Sequence, residues 1–174
     1  MVKIASLNKQ GLFWVLTVLL GFILQVSFTD VISIYGIFPN LLLLSTIFFA
    51  MRGGPVVGEW AGFAWGLLSD VASISLFGSQ TFMLTLIGYA AGRLQGKIDE
   101  DRPAAQMTIV LLMSILYVLG LMFFESLFSG SARRFMVKPS FFQLAYSTLI
   151  SPVAFWILLR WCALFYKPDY RVKL

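Results

Sequence analysis

The chain has 174 residues, of which 59% are hydrophobic and only 12% are charged, and its net charge is +5. Soluble domains carry about a quarter charged residues, so this composition excludes an ordinary water-soluble fold. The basic residues stand in short clusters between apolar segments, which is typical of membrane topology signals and not of a nucleic-acid-binding surface. A single cysteine, Cys162, excludes an intrachain disulfide, and the absence of histidine removes the commonest metal ligand.

The apolar segments predict an all-α, polytopic transmembrane helical bundle that forms one integral membrane domain over residues 1–174. A helix crosses the hydrocarbon in about 20 residues, and fewer suffice where other helices cover its ends. The six predicted spans are residues 11–29, 37–51, 55–69, 79–96, 104–128 and 141–165. The first reads as a retained anchor and not as a cleaved signal peptide. The third and fourth spans are short, so either of them could be a partly re-entrant segment instead of a complete span.

Two prolines bear on these spans. Pro39 is predicted in the first turn of the second helix, where a proline is well tolerated. Pro152 lies near the middle of the sixth span and predicts a kink there.

The distribution of lysine and arginine predicts the orientation of the chain. If the N-terminus is cytoplasmic, ten of these residues lie in inner segments and three in outer segments. The inner set is Lys3, Lys9, Arg52, Arg93, Lys97, Arg102, Arg160, Lys167, Arg171 and Lys173, and the outer set is Arg133, Arg134 and Lys138. Because cytoplasmic segments are enriched in lysine and arginine, both termini are predicted to be cytoplasmic.

Glycines recur at every fourth position in two of the spans. They are Gly54, Gly58, Gly62 and Gly66 in the third span, and Gly88, Gly92 and Gly96 at the end of the fourth. Small residues at this spacing form a groove along one helix face, which another backbone can approach closely. Two interpretations follow: the third and fourth spans pack against each other, or the groove receives the helix of a partner protein.

Three acidic residues fall inside or at the edges of spans, namely Glu59, Asp70 and Glu125. Carboxylates in a span usually face a protein interior or a cavity. Glu59 and Asp70 share one helix face about 16 Å apart, which is too far for a catalytic pair on one small substrate. Asp70 could instead be a helix-end residue in the interfacial layer, and Glu59 could pair with Arg52 or Arg93. No nucleophile–base arrangement or metal-ligand cluster is recognisable in the sequence, so neither an enzyme nor a cofactor is expected.

The central third of the chain resembles the MreD family of rod shape-determining proteins. The resemblance rests on FPNLLLL at 38–44, RGGPVVG at 52–58, GFAWGLLSD at 62–70, LFG at 76–78 and GYAAGRL at 88–94. The order and spacing of these segments carry it, since each alone is common. Asn40 stands where the resemblance leads us to expect an acid.

This resemblance implies a non-enzymatic subunit of the bacterial cell-elongation machinery in the inner membrane. Such a subunit binds the single-span protein MreC and through it influences MreB, RodA and the elongation penicillin-binding protein during peptidoglycan synthesis. The subunit is surrounded by membrane lipid, and the resemblance leaves open whether it forms a homodimer. The resemblance also implies a fold similar to the substrate-binding subunits of energy-coupling-factor transporters.

The positions expected to be sensitive, through partner binding or through packing, lie in the turn before the second span and in the glycine-rich spans. They are Phe38, Pro39, Asn40, Gly58, Glu59, Gly62, Gly66, Asp70, Gly88 and Gly92. On this hypothesis the substitutions Asp70→Ala and Gly62→Leu weaken assembly with the partner.

The similarity to transporter subunits supplies an alternative function, the binding of a vitamin-type small molecule. That function needs a polar pocket that opens outward. The outer side offers Asp30, Tyr35, Ser73, Ser75, Ser79, Gln80 and Glu125. A third class of function is an intramembrane enzyme or a lipid flippase. The absence of histidine and of paired charges in the middle of the spans counts against this class.

Overall fold

The computed structural model describes residues 16–25, 27, 39–72, 77–98, 102–128 and 137–165. In these residues every regular element is a helix, which confirms the all-α class. The helices described are α1 (Leu16–Gln25), α2 (Leu41–Gly53), α3 (Pro55–Ala72), α4 (Ser79–Gly92), α5 (Pro103–Phe128) and α6 (Val137–Phe165).

Hydrogen bonds between helix ends show that the first four helices run in alternating directions. Gln25, the last residue of α1, accepts from the backbone N–H of Leu41, the first residue of α2, at 2.7 Å. Asp70, near the end of α3, accepts from backbone N–H groups in the first turn of α4. At the opposite end of the bundle, Gln95 follows α4 and donates to the carbonyl of Arg52, near the end of α2, at 2.8 Å.

The two ends of the bundle differ in chemistry. Arg52 shares a cleft with the start of α5 and the end of α6, which places all three segments at one end. We call this the cationic end, because five of the described basic residues lie there: Arg52, Arg93, Lys97, Arg102 and Arg160. The opposite end, which we call the polar end, holds Pro39, Asn40, Asp70, Gln80 and Ser147. The orientation of the chain in the membrane stays a prediction.

The central helix is α2, which is buried along almost its whole length. Ten of its 13 residues are buried, and it contacts α3, α4, α5 and α6. A helix that is apolar on every side is stable only when other helices surround it. The side chain of Asn40 caps the helix by accepting from the backbone N–H of Leu43 at 3.0 Å.

Two helices are long and apolar enough to cross a membrane by length and composition, α5 over Pro103–Phe128 and α6 over Phe142–Ala163. Large apolar side chains of α5, among them Leu112, Leu119 and Phe123, are exposed on the surface of the bundle. Water disfavours an apolar surface of this extent, whereas lipid accommodates it. Together these features indicate a membrane protein.

The helix bounds differ from the predicted spans at two informative places. Pro39 precedes α2 instead of lying in its first turn, because Asn40 is the N-cap and the helix begins only at Leu41. Gly96 does not extend the glycine repeat of α4, because the helix ends at Gly92 and Gly96 adopts a left-handed backbone with φ +69° in the following turn.

The helix α6 continues through Pro152, which lies in its interior. Proline has no backbone N–H, so the carbonyl of Thr148, four residues earlier, lacks its usual helical donor. The hydroxyl of the buried Ser151 donates to this carbonyl at 2.7 Å. The side chain therefore replaces the missing backbone hydrogen bond, as serine often does beside a membrane proline. The predicted kink stays a prediction.

This arrangement predicts a coupling between Ser151 and Pro152. Ser151→Ala should lower stability by about 1 kcal/mol, because it leaves a buried carbonyl without a donor. In a Pro152→Ala background the same substitution should have a much smaller effect, since the restored N–H reaches the carbonyl of Thr148. Unfolding of the four combinations in mild detergent gives the coupling energy. Equal effects of Ser151→Ala in both backgrounds would contradict the conclusion that the Ser151 hydroxyl replaces the missing backbone N–H at the carbonyl of Thr148.

Candidate functional site

The glycines of α3 and α4 face each other and bring the two backbones into direct contact. A Cβ atom built on Gly58 would lie less than 3.0 Å from the carbonyl oxygen of Gly88, and one built on Gly88 would lie equally close to the carbonyl oxygen of Gly58. Real Cβ atoms do not approach other atoms so closely. No residue larger than glycine therefore fits at either position without moving a helix.

The same contact continues along the full length of the helix pair. A Cβ atom on Gly62 would meet the backbone of Leu84 at less than 3.0 Å, and one on Gly66 would meet the backbone of Thr81. At the cationic end, the backbone of Pro55 lies equally close to the position that a Cβ of Gly92 would take. Of the two interpretations of the glycine repeat, the structure places these residues in packing within the chain.

Asp70 connects α3 to α4 by capping the second helix. Its carboxylate accepts from the backbone N–H of Gln80 at 3.1 Å and from that of Thr81 at 2.8 Å. The hydroxyl of Thr81 also donates to it, at 2.5 Å. The N-cap residue itself, Gly78, has φ +93° and no side chain that could bond these groups. Asp70 is 2% exposed, and its negative charge lies at the positive end of the α4 dipole.

Glu59 has a different environment from Asp70, although both belong to α3. Its side chain is partly exposed and lies toward the cationic end of the helix. The two arginines considered for it have aromatic neighbours: Arg93 donates to the hydroxyl of Tyr89 at 3.2 Å, and the guanidinium of Arg52 lies over the ring of Phe48. Beside it runs an exposed apolar stripe of the same helix, formed by Val56, Trp60, Phe63, Leu67 and Val71. Four residues of α3 were predicted to share one helix face: Glu59, Gly62, Gly66 and Asp70. Gly62, Gly66 and Asp70 are buried, whereas Glu59 is partly exposed.

The turn before α2 is held by neighbouring helices at the polar end. The backbone N–H of Asn40 donates to the hydroxyl of Ser147 in α6 at 3.1 Å. The amide of Gln25 in α1 accepts from Leu41 and donates to the carbonyl of Pro39, at 2.7 Å and 3.4 Å. Asparagine and aspartate cap helices equally well, so the capping role of Asn40 requires no charge. Phe38 lies outside the described residues.

Sequence reasoning missed three of the residues that complete these contacts, Gln25, Thr81 and Ser147. Gln25 is the residue that could have been found, since a carboxamide inside a predicted span needs a partner. Of the residues proposed for an outward pocket, Ser79 is buried and Gln80 is partly buried at the start of α4. Asp30, Tyr35, Ser73 and Ser75 lie outside the described residues, as does the side chain of Glu125.

Two cavities lined by described residues open between the helices, and each has a volume of about 10 Å³. One lies near the polar end and is lined in part by Asn40, Ser114 and Tyr117. The other lies at the cationic end beside Arg52. A volume of this size holds about one water molecule, whereas a pocket for a drug-sized ligand needs several hundred Å³. Within the residues that the structure describes, no group of three or more acidic or cysteine side chains could hold a metal ion.

The backbone contact predicts a severe effect of bulk at Gly62. Gly62→Leu should lower the free energy of unfolding by about 3 kcal/mol, because the new side chain forces α3 away from the backbone of Leu84. Val56→Phe is the control, since Val56 is on the same helix but 62% exposed. The yield and melting temperature of both variants in mild detergent test the prediction. A stable Gly62→Leu protein would contradict the close contact.

The capping bonds predict that the two acidic residues of α3 differ in importance. Asp70→Ala should lower stability by about 3 kcal/mol, because two buried N–H groups and a hydroxyl lose their acceptor. Asp70→Asn should have a smaller effect, since the amide keeps one acceptor oxygen. Glu59→Gln should leave the melting temperature almost unchanged. Thermal unfolding followed by tryptophan fluorescence compares the three variants, and equal losses for Asp70→Ala and Glu59→Gln would refute the capping role.

Comparison with known proteins agrees with the resemblance of the central segments and extends it to nearly the whole chain. The model of a family described as rod shape-determining protein MreD matches residues 6–167. Comparisons with curated proteins and with solved structures give no match. The family match covers all six helices described above. The chain therefore belongs to the MreD family and has a role in rod shape determination.

Proposed function

We propose that this chain is a non-enzymatic scaffold subunit of the cell-elongation machinery that builds peptidoglycan, and that it binds MreC in the inner membrane. The match to the MreD family over residues 6–167 is the observation that carries the proposal. In this role the chain is multi-pass, with both termini in the cytoplasm. MreB, RodA and the elongation penicillin-binding protein are influenced indirectly through MreC.

The glycines of α3 and α4 pack these two helices against each other within the chain, which supports a rigid scaffold. Because α3 and α4 are in backbone contact, their relative position has little freedom, and the surface that they present is fixed before a partner binds. The groove itself is not open to a partner helix. The proposed contact surface is therefore the outer face of α3, where Trp60 is 69% exposed and Glu59 is partly exposed.

Glu59 adds a reason to assign this face to a partner. A carboxylate beside lipid is unfavourable unless it reaches water or meets an opposite charge. A single-span helix that follows the positive-inside rule carries lysine or arginine at its cytoplasmic end, which is the end of α3 where Glu59 lies. Such a helix would place a cation beside Glu59 and apolar side chains beside Trp60 and Phe63.

The mechanism that follows is equilibrium control of MreC. If the scaffold binds one conformation of MreC more tightly than another, the population shifts toward the first by the difference in affinity and by no more. This mechanism needs no catalytic group in the scaffold, and a fixed α3–α4 surface suits it.

The alternative role, binding of a vitamin-type molecule, finds no specific support in the described residues. The two cavities of about 10 Å³ have no room for such a ligand. Ser79 and Gln80, which were candidates for an outward pocket, belong to the capped first turn of α4.

Co-purification with MreC tests the proposal. We expect the untagged chain to be retained on tagged MreC in mild detergent and to elute with it on size exclusion. Trp60→Ala combined with Glu59→Gln should reduce retention at least roughly tenfold, because both proposed contacts are lost. Trp156→Ala is the matched control, since Trp156 is a tryptophan of α6 that is 56% exposed at the same end of the bundle.

Two results would count against different parts of the proposal. Well-folded proteins that do not associate at all would overturn the scaffold function. Association that survives the α3 variant but is lost with Trp156→Ala would keep the function and move the interface to α6.

A further inference from the structure

The hydroxyl of Ser114, in the middle of α5, differs from other hydroxyls of the bundle. A hydroxyl inside a helix can donate to the carbonyl four residues earlier, and four described threonines do so: Thr46, Thr85, Thr108 and Thr148. Ser114 is 1% exposed, and its hydroxyl has no hydrogen-bond partner among the residues that the structure describes. Because a buried hydroxyl without a partner is unfavourable, this group requires a partner of another kind.

Ser114 lines the cavity near the polar end, where the start of α2 meets α5 and α6. The volume of this cavity, about 10 Å³, is close to that of one water molecule. Five of its eight lining residues are polar: Asn40, Ser114, Tyr117, Gln143 and Ser147. Cavities in protein interiors stay empty when their walls are apolar, whereas a polar cavity of sufficient size holds water. The unpartnered hydroxyl therefore lies beside a space that suits water.

Two neighbouring hydroxyls supply complementary hydrogen-bonding groups. The hydroxyl of Ser147 accepts from the backbone N–H of Asn40 at 3.1 Å, and a serine that accepts one bond still has its own O–H to donate. The hydroxyl of Tyr117 donates to the carboxamide oxygen of Gln80 at 3.5 Å, which leaves the phenolic oxygen able to accept. The walls thus offer one donor, one acceptor and, at Ser114, a group that can serve as either.

We propose that this cavity binds a single water molecule that is hydrogen-bonded to Ser114, Tyr117 and Ser147. The water accepts from the O–H of Ser147 and donates to the phenolic oxygen of Tyr117. Its third bond is to the hydroxyl of Ser114, which gains the partner that the protein does not supply. Three hydrogen bonds are typical of a buried water molecule, and the volume excludes a larger ligand.

The water site connects helices that have few polar contacts of their own. Ser114 and Tyr117 belong to α5, and Ser147 belongs to α6, where it holds the backbone of the N-cap residue Asn40. A water bonded to all three hydroxyls therefore joins α5 and α6 to the start of α2. The site lies inside the bundle, away from the outer face of α3, and does not depend on the partner proposed there.

Thermal unfolding of the full chain in mild detergent tests the proposal. Ser114→Ala should lower the melting temperature by about 3 °C, because the water loses one of its partners. Ser147→Ala should lower it as well. The double variant should lose clearly less than the sum of the two, since both hydroxyls bind the same water.

Thr148→Ala is the matched control for this comparison. Thr148 is the neighbour of Ser147 in α6, but its hydroxyl donates to the carbonyl of Leu144 and it does not line the cavity. The effects of Thr148→Ala and Ser114→Ala should therefore be additive.

Three results would overturn the water site. A melting temperature that rises or stays unchanged with Ser114→Ala would mean that the hydroxyl is unpartnered in a dry cavity. A fall that is fully additive with Ser147→Ala would mean that Ser114 bonds within its own helix, to the carbonyl of Val110. An experimental structure that resolves ordered water should show one about 2.8 Å from the Oγ atom of Ser114. An empty cavity in that structure would refute the proposal, whether or not the variants fold.

Discussion

The direct contact between the backbones of α3 and α4 is the constraint on which the rest of the bundle depends. Glycines on both helices remove the side chains that would hold the two axes apart. In lipid there is little hydrophobic attraction between helices, so close packing of this kind supplies much of the association energy. The central helix α2 then lies against both members of the pair, and α5 and α6 cover its remaining sides.

This constraint also decides which residues are available for function. The glycine faces and the carboxylate of Asp70 are used inside the chain, where they hold one helix against the next. What remains outside is an apolar surface with a few charged groups near the cationic end, among them Glu59 and Arg160. The scaffold role proposed above therefore relies on this outer surface, because the glycine groove is filled within the chain.

The sequence predicted the all-α class and the glycine repeats, because apolar length and small-residue spacing are properties of single segments. It could not show that Asp70 caps α4, since that contact depends on how the chain returns between the two helices. Pro39 was predicted in the first turn of α2, because proline is well tolerated there. The helix instead begins at Leu41, because the side chain of Asn40 forms the N-cap. The separation of Glu59 from Asp70 likewise required the packing of α4, which buries one carboxylate and leaves the other partly exposed.

The cap formed by Asp70 has a consequence for how the protein enters the membrane. Before α4 is in place, α3 carries two carboxylates and a row of bare glycine backbone, which makes it a poor segment to leave alone in lipid. Once α4 has formed, its first N–H groups satisfy Asp70 and its glycines cover the exposed backbone. Insertion of α3 and α4 together, as a single helical hairpin, would avoid this unfavourable intermediate.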